Sequence, residues 1–278
     1  MSNPVYRAIR KPIYPRARSA SRMLLLRHPA PPPELGLEKI GSGYGGWIVP
    51  TAVMNSDWLL YCGGVGEDVT FDKGVIERFG LTIHAFDPTP RSAVYVEKHL
   101  AGESRFTLHR VGLWDQDTTL RFYVPRNPKN VSHSVVNLQR TDEYFEAQVR
   151  SLPSVMKELG HDRIDLLKID IEGAEHYVIR SILAVGIKPD VICLEIDQPV
   201  HVKDFWGTVR RIKAADYTLV AVDSWNLTFI RNDVLARWTA ELRAVSPVGS
   251  APASPAPAAD PAPAADAAPA ADAAPAAR

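Results

Sequence analysis

Cysteine is scarce in this sequence, with two residues among 278. Cys62 and Cys193 each lie within an apolar, strand-like run, which indicates buried, reduced thiols rather than a disulfide framework. Long apolar segments are also lacking, since no run approaches the ~20 residues that span a bilayer. The run MLLL at 23–26 is shorter than the roughly 7 to 15 apolar residues of a secretory signal. We therefore expect a cytoplasmic protein.

Net charge is absent as well, because 32 basic residues balance 32 acidic ones. Basic and aromatic side chains are not interleaved in the central part of the chain, so nucleic acid is not an expected partner. The sequence also lacks the G-x-S-x-G turn of a serine hydrolase and the Cys/His spacing of a zinc site. The chemistry must therefore come from other residue types.

Both ends of the chain differ in composition from its centre. Residues 1–42 form a basic extension, which is either solvated or a peripheral contact to an anionic membrane or to phosphates. Residues 246–278 are almost entirely alanine, proline, aspartate and serine, which predicts a disordered tail. The remaining residues, 43–245, are enough for one large domain. The basic residues of the extension are Arg7, Arg10, Lys11, Arg16, Arg18 and Arg22.

Apolar runs alternate with amphipathic segments between residues 58 and 230. Strands that are apolar throughout and alternate with helices predict an α/β fold with a mostly parallel sheet covered on both faces. Two adjacent strands, 217–223 and 227–232, add an antiparallel hairpin at the C-terminal edge. Sheets of this kind bind ligands at the carboxyl ends of their strands. The other predicted strands are 58–62, 81–87, 106–113, 118–125, 164–170 and 191–196.

A glycine-rich loop, YCGGVGED at 61–68, follows the first long strand. Gly63, Gly64 and Gly66 remove side chains where the backbone turns sharply and approaches a ligand. Asp87 ends the next strand about 20 residues later, where an acid in this kind of fold accepts hydrogen bonds from ribose hydroxyls. The loop and the acid together predict a site for a nucleoside cofactor.

Two kinds of nucleoside cofactor fit this layout. A dinucleotide needs a third glycine at position 69, which is Val69 here, and a helix amino end that receives a pyrophosphate. Glu67 and Asp68 put negative charge at that end, where it repels a pyrophosphate. S-adenosylmethionine has no phosphate and carries a sulfonium and an ammonium, so the same acids favour it. Glu67 and Asp68 either contact the cofactor or are only first-turn acids of the helix, and an NAD-dependent oxidoreductase stays the alternative.

Three motifs resemble the FkbM-type methyltransferase family, namely GGVGED at 63–68, HAFDPTP at 84–90 and LLKIDIEGAE at 166–175. GYGGWIVP at 43–50 is similar to a short segment that precedes the first strand in some members. The resemblance spans 43–232 and implies a Rossmann-like methyltransferase fold. It also implies methyl transfer from S-adenosylmethionine to a hydroxyl oxygen of a sugar, a polysaccharide or a related secondary metabolite.

The chain departs from this family at the end of the first long strand. Many members carry an acid there, where this chain has Leu60, Tyr61 and Cys62. Either Glu67 or Asp68 takes over that contact, or the domain is a binding module that has lost catalysis.

Candidate catalytic residues come from two segments. Asp170 and Glu172 follow the fourth strand, and one of them is expected to act as a base or to anchor the acceptor hydroxyl, although Glu172 alternatively caps the next helix. Lys168 faces the same way as Asp170, so it orients that carboxylate, binds an anionic acceptor or forms a plain ion pair. His133, in the loop NVSHSVVN, is a second candidate base or sugar contact, or is simply solvated.

Further contacts are expected from the ends of the third and fifth strands. Trp114 either stacks on the adenine or packs at the rim, and Asp115 is a candidate to bond the adenine amino group. Glu195 and Asp197, together with Asp170 and His201, would supply oxygen and nitrogen ligands for a divalent cation. No compact ligand spacing supports such a cation, so no metal ligand is assigned. The expected acceptor is a small molecule or a glycan.

Overall fold

The structure is a computed structural model, and it describes residues 26, 28–126, 133–135, 137, 141–196 and 202–245. Its strands are β1 (Leu37–Ile40), β2 (Trp47–Pro50), β3 (Leu59–Gly63), β4 (Thr82–Phe86), β5 (Phe106–His109), β6 (Gly112–Trp114), β7 (Thr118–Tyr123), β8 (Tyr144–Ser151), β9 (Leu166–Ile169), β10 (Val191–Glu195), β11 (Tyr217–Asp223) and β12 (Asn226–Arg231). Its helices are α1 (Thr70–Phe79), α2 (Pro90–Leu100), α3 (Leu152–Leu159), α4 (Glu175–Ala184), α5 (Val202–Ala214) and α6 (Asn232–Val245).

The central sheet has seven strands in the order β11-β12-β10-β9-β3-β4-β5. The strands from β10 through β5 in that order are parallel to one another. β12 is antiparallel to both β10 and β11, so the last two strands form a hairpin at one edge. The predicted α/β, Rossmann-like fold, with a mostly parallel sheet and an antiparallel C-terminal hairpin, is confirmed.

The parallel strands are buried because apolar layers cover both faces of the sheet. In β9 all four residues are buried, including Lys168. Leu167 and Ile169 belong to one apolar layer, whereas Leu166 belongs to the other. Successive strand residues point to opposite faces, so Lys168 lies on the same face as Leu166.

Local sequence sets the points at which the helices begin and end. The Thr89 side chain accepts a hydrogen bond from the Ser92 N–H and Pro90 occupies the first turn, so α2 begins at Pro90, shortly after Asp87. Gly80 adopts φ +71° and ends α1. Because α1 follows β3 and α2 follows β4, both helices start at the carboxyl edge of the sheet, beside the glycine loop and the acid that the sequence singles out.

A second, three-stranded sheet has the order β6-β8-β7. The predicted single strand over 106–113 is wrong, because the chain leaves the central sheet after His109 and joins the second sheet at Gly112. Between them, the Val111 N–H donates to the His109 carbonyl at 2.8 Å, which makes a tight turn. The alternating pattern at 118–125 does form a strand, β7, which pairs with β8.

An antiparallel hairpin of β1 and β2 precedes the central sheet. The Thr228 hydroxyl of β12 donates to the Ile48 carbonyl at 2.7 Å and so ties this hairpin to the sheet. The domain boundary at residue 43 stays a prediction, and β1 lies on its N-terminal side. Residues 1–22 of the basic extension and the tail 246–278 lie outside the described residues. Within the described ranges, no helix is both long and apolar enough to cross a membrane.

The two cysteines face the same side of the sheet as Lys168. Cys62 and Cys193 are its register partners on the two neighbouring strands. The Cα atoms of the two cysteines lie two strand spacings apart, roughly 9 to 10 Å. A disulfide needs Cα atoms about 4.4 to 6.8 Å apart. Both thiols are free and buried, and burial raises the pKa of Cys193 to about 12. The predicted buried, reduced thiols are confirmed.

Three half-buried imidazoles meet beside Tyr61, on the face opposite the thiols. His84 Nδ1 lies 2.9 Å from His109 Nε2, and the Tyr61 hydroxyl lies 2.7 Å from His161 Nδ1. Burial, with the neighbouring imidazoles, lowers the pKa of His84 to about 4, and burial also lowers the pKa of His109. His84 and His109 are therefore neutral at pH 7.

Acidification is expected to destabilise the fold through this histidine cluster. An unfolded imidazole takes up a proton near pH 6.5, whereas folded His84 takes one up only near pH 4, so protons favour the unfolded state. This contribution is fully present above about pH 6.5 and is lost as the pH falls toward 4. Because the rings stay partly exposed, solvent screening limits the loss from His84 to about 1 to 2 kcal/mol.

Urea unfolding at about pH 7.5 and pH 5 measures this loss. A His84→Leu variant removes the titrating ring and keeps an apolar side chain beside Tyr61, so its stability should depend less on pH. An identical pH dependence in the variant and the unmodified protein would contradict the prediction.

Candidate functional site

A cavity of about 420 Å³ opens at the carboxyl edge of the central sheet. Its wall combines the loops after β3, β4 and β9 and the end of β10 with the β1–β2 hairpin and the turn between β11 and β12. The predicted site residues that line it are Gly64, Gly66, Glu67, Asp68, Asp87, His133, Asp170 and Glu172. The fold therefore brings residues from three separate motifs to one cavity.

The glycine loop is held against the loop that follows β9. The Gly64 N–H donates to the Phe86 carbonyl at 2.9 Å, and the Asp170 N–H donates to the Gly63 carbonyl at 3.0 Å. Gly64 has φ +82°, and a Cβ there would lie 1.7 Å from the Asp170 carbonyl oxygen. Only glycine fits at this position. Gly63 lies behind the wall, where a Cβ would come within 2.9 Å of Leu113.

Asp87 anchors the glycine loop through both of its carboxylate oxygens. Oδ2 accepts from the Val65 and Gly66 N–H groups at 3.0 and 2.9 Å. Oδ1 accepts from the Thr89 N–H and hydroxyl at 2.8 and 2.6 Å. A carboxylate has about four acceptor positions, and all four are used within the protein. The structure thus gives Asp87 a loop-anchoring role, and its predicted ribose contact stays a prediction.

The two acids at the amino end of α1 have different partners. Glu67 forms a two-point ion pair with Arg91, at 3.0 and 2.9 Å. Asp68 Oδ1 accepts from the Thr70 N–H at 2.8 Å, and Oδ2 accepts from the Ser42 hydroxyl at 2.6 Å. Partial burial raises the pKa of Asp68, but these hydrogen bonds outweigh it and lower the pKa overall. Asp68 therefore supplies the negative charge expected at this end of the cavity, whereas the charge of Glu67 is balanced by Arg91.

Lys168 connects the glycine loop with the acids behind it. Its ammonium is buried, donates to the Gly64 carbonyl at 2.8 Å and lies 5.6 Å from the centre of the Trp47 ring. Burial would lower the pKa of Lys168, but attraction to Asp170 and other neighbouring groups raises it overall. The lysine stays charged, and its first contact is with the loop backbone.

The candidate catalytic residues lie together on the side of the cavity formed by the loop after β9. Asp170 and Glu172 line the wall with His133, whose ring packs edge-on against Phe145 at 5.6 Å between centroids. Glu172 has φ +56°, and its carbonyl accepts a hydrogen bond from the Ser134 hydroxyl. The His133 and Glu172 segments are therefore in direct contact.

Trp114 and Asp115 lie outside the cavity wall as the described residues define it. The Trp114 ring packs on Tyr177 at 4.4 Å between centroids, and Asp115 pairs with Arg180 at 3.3 Å. Both partners are on α4, because β6 has left the central sheet for the smaller one. The predicted adenine contacts stay a prediction.

The sequence patterns did not predict the part of the cavity wall that comes from the β1–β2 hairpin and from the turn between β11 and β12. Lys39 of β1 pairs with Asp223 at 2.8 Å, and Tyr44 of the β1–β2 turn lines the cavity. β11 runs parallel to β10, so the turn after Asp223 reaches the same edge of the sheet. The polar turn between the apolar strands β11 and β12 was the one feature of the sequence that could have indicated this part of the site. Ser224 and Asn226 complete this part of the wall.

A cation site is not apparent in the described part of the chain, where no group of three or more His, Cys, Asp or Glu residues is arranged to hold a metal. Glu195 and Asp170 both line the cavity. Asp197 and His201, the other two suggested ligands, lie outside the described residues.

Comparison with known proteins places the chain in a family. Residues 65–219 match the family model of the methyltransferase FkbM domain, which covers more than half of the chain. The chain belongs to the FkbM methyltransferase family. The match includes the Asp87 segment and the motif from Lys168 to Glu175, and it confirms the resemblance seen in the sequence.

Two curated relatives of this FkbM protein are named probable methyltransferase-like protein 24. The human protein is 29% identical over 150 residues, which cover 54% of this chain and 34% of the relative. The rat protein is 31% identical over 143 residues, which cover 51% of this chain and 33% of the relative. The matched part is therefore about a third of the length of these relatives.

Solved structures give weaker matches to the FkbM protein. An FkbM methyltransferase from Methylobacillus flagellatus KT has a TM-score of 0.40 at 16% identity, covering 63% of this chain and 43% of that one. Aeropyrum pernix fibrillarin, solved with natively bound S-adenosyl-L-methionine, has a TM-score of 0.37 at 9% identity, covering 64% of this chain and 66% of that one.

Proposed function

We propose that this protein transfers a methyl group from S-adenosylmethionine to a hydroxyl oxygen of a sugar, a polysaccharide or a related small molecule. The observation that carries the proposal is one cavity in an FkbM-family fold. There the glycine loop faces the carboxylates of Asp170 and Glu172 and the imidazole of His133. The free, buried thiols fit a reducing compartment such as the cytoplasm.

The residues of the cavity fit a methyl donor better than a dinucleotide. A Cβ at Gly64 would meet the Asp170 carbonyl oxygen at 1.7 Å and a Cβ at Gly45 would meet the Asp68 carboxyl at 2.7 Å, so both glycines let the segments around the cavity pack closely. Asp68 keeps a negative charge at the amino end of α1, where a pyrophosphate would be repelled and an ammonium attracted, whereas the charge of Glu67 is balanced by Arg91. When bound, S-adenosylmethionine supplies a methyl group on a positively charged sulfur.

The chain's own part of the reaction is to place the acceptor and remove its proton. Asp170 or Glu172 accepts the hydroxyl proton or holds the hydroxyl in line, and His133 is the second candidate for either task. Lys168 holds the glycine loop through the Gly64 carbonyl and attracts Asp170, so donor and acceptor sides share one rigid support.

Calorimetric titration tests the donor site directly. S-adenosylhomocysteine and S-adenosylmethionine should bind with dissociation constants of about 1 to 100 μM, and NADH should not bind. Binding of NADH without S-adenosylhomocysteine would overturn the proposal in favour of an oxidoreductase.

Turnover is then tested with a panel of neutral and anionic sugars, by measuring S-adenosylhomocysteine formation. β3 ends in Tyr61, Cys62 and Gly63 without an acid, and this favours a binding module as the second candidate. Donor binding without product from any acceptor would support that candidate, and product formation would exclude it.

A further inference from the structure

The backbone of Glu172 is held in an unfavourable conformation. Its φ of +56° is in the left-handed region. A residue that carries a side chain loses stability in this region, whereas glycine does not. The following residue, Gly173, has φ +99° and continues the sharp turn into α4. A turn of this kind persists only where other groups hold it.

Glu175 supplies two of the contacts that hold this turn. Its Oε1 accepts hydrogen bonds from the Ile171 N–H at 3.1 Å and from the Gly173 N–H at 3.0 Å. These two amides flank Glu172 in the chain, so one carboxylate oxygen fixes the backbone on both sides of it. The Ser134 hydroxyl, which donates to the Glu172 carbonyl, adds a third restraint.

These hydrogen bonds do not serve helix α4 in the usual way. An acid in a first helical turn commonly bonds N–H groups at the helix start, as in the capping box, where it reaches back to the N-cap residue. Here the Tyr177 and Val178 N–H groups already bond to the Ala174 carbonyl, and the Glu175 side chain reaches back to residues before the helix. Two hydrogen bonds of the carboxyl therefore reach the loop ahead of the N-cap residue, Ala174, beyond the usual capping contact.

The position of Glu175 is costly, which argues that the turn is needed. Its side chain is buried, and within the described residues Oε2 has no hydrogen-bond partner. Burial, opposed by the backbone N–H groups and helped by nearby Asp170, raises the pKa of Glu175 to about 7. A buried carboxyl with half of its bonding capacity unused lowers the stability of the fold. Such costs concentrate at functional sites.

We infer that Glu175 is a positioning residue, whose carboxyl clamps the Ile171 and Gly173 amides so that the strained Glu172 turn presents its carboxylate to the acceptor. The inference rests on the proposed function, because the acceptor is the substrate of the proposed methyl transfer. The clamp also reaches the donor side, because the Ile171 side chain would lie 3.3 Å from a Cβ at Gly63 and 3.6 Å from one at Gly64.

Donor binding gives the first test, with S-adenosylhomocysteine as the probe. Glu175→Ala removes both hydrogen bonds and should lower its affinity about 10-fold, whereas Glu175→Gln keeps an acceptor oxygen and should stay within about 3-fold. This rescue by glutamine excludes a role of the charge alone, and Glu175→Met, which fills similar space without an acceptor oxygen, should bind as weakly as the alanine variant and so excludes a space-filling role. An alanine variant that is folded and binds like the unmodified protein would overturn the inference. So would a glutamine variant as weak as the alanine variant.

A double-mutant cycle gives a second test that needs no ligand. Glu172→Gly removes the strain at positive φ, so the fall in Tm caused by Glu175→Ala should be about half as large in that background. Equal falls in both backgrounds would overturn the inference. If Glu175→Ala does not fold, Glu175→Asp, which is one methylene too short to reach both amides, takes its place in both tests.

The two tests also separate this inference from the proposed function. Failure of the unmodified protein to bind S-adenosylhomocysteine would count against the proposed function alone. The cycle would still decide whether Glu175 holds the Glu172 turn.

Discussion

Replacing Gly64 by alanine is expected to abolish measurable binding of S-adenosylhomocysteine. A Cβ at Gly64 would lie 1.7 Å from the Asp170 carbonyl oxygen and 2.8 Å from its carbonyl carbon. Neither atom can rotate away, because the Asp170 N–H is bonded to the Gly63 carbonyl in the same contact. The loop after β3 and the loop after β9 must therefore move apart, and both line the cavity. A misplacement of about 1 Å is enough to cost roughly 100-fold in reaction rate, and here it would displace the donor contacts of both loops at once.

The stability of the Gly64→Ala protein should fall as well. Strain at φ +82° and overpacking against a backbone together cost about 3 to 5 kcal/mol, which urea unfolding measures. Gly102→Ala is the matched control, because Gly102 has φ +79° and a methyl group there would meet no atom of the described residues within 4 Å. That variant should lose only about 1 to 2 kcal/mol and keep its donor affinity. A Gly64→Ala protein with unchanged affinity would show that the two loops are not a fixed unit.

Replacing Asp87 by alanine should release the glycine loop even without a ligand. Four hydrogen bonds end on its carboxylate, and two of their donors are the Val65 and Gly66 amides. Removing the acceptor leaves buried donors unsatisfied, which should destabilise the protein by about 3 to 5 kcal/mol. Amide hydrogen exchange in the ligand-free protein should show loss of protection at Val65 and Gly66.

Glu67→Ala is the control for the Asp87 variant, since it removes a carboxylate from the same loop. Glu67 pairs with Arg91 at the protein surface, so this change should cost less than about 1 kcal/mol. Retained protection of Val65 and Gly66 in Asp87→Ala would contradict the anchoring role. If S-adenosylhomocysteine binding were then lost, a direct ribose contact would become the better account.

The central sheet could be predicted because its signal is strong and local. Strands such as β9 and β10 are apolar on both faces, and this pattern occurs where helices cover a parallel sheet. The positions of Asp170 and Asp87 followed, because residues after parallel strands reach the same edge. The hydrogen-bond partners of Asp87 did not follow, since they depend on how the loop turns in space.

The rest of the site could not be predicted from the sequence, because it depends on contacts between segments that are far apart in the chain. The segment 106–113 carries apolar residues on both sides of Arg110, so its pattern does not mark the change of sheet after His109. Trp114 therefore lies farther from the cavity than a continuous strand would place it. The Glu175 clamp was also hidden, because an acid at a helix start has an ordinary local explanation.

The ion pair between Lys39 and Asp223 joins residues that are 184 positions apart. During synthesis, the N-terminal wall of the cavity must wait for its C-terminal partner, since almost the whole domain lies between them. Contacts of such long range form late in folding. Nascent chains that stop before β11 should thus fold parts of the sheet without retaining the ligand. Ligand capture would then mark the emergence of β11 and the turn after it from the ribosome.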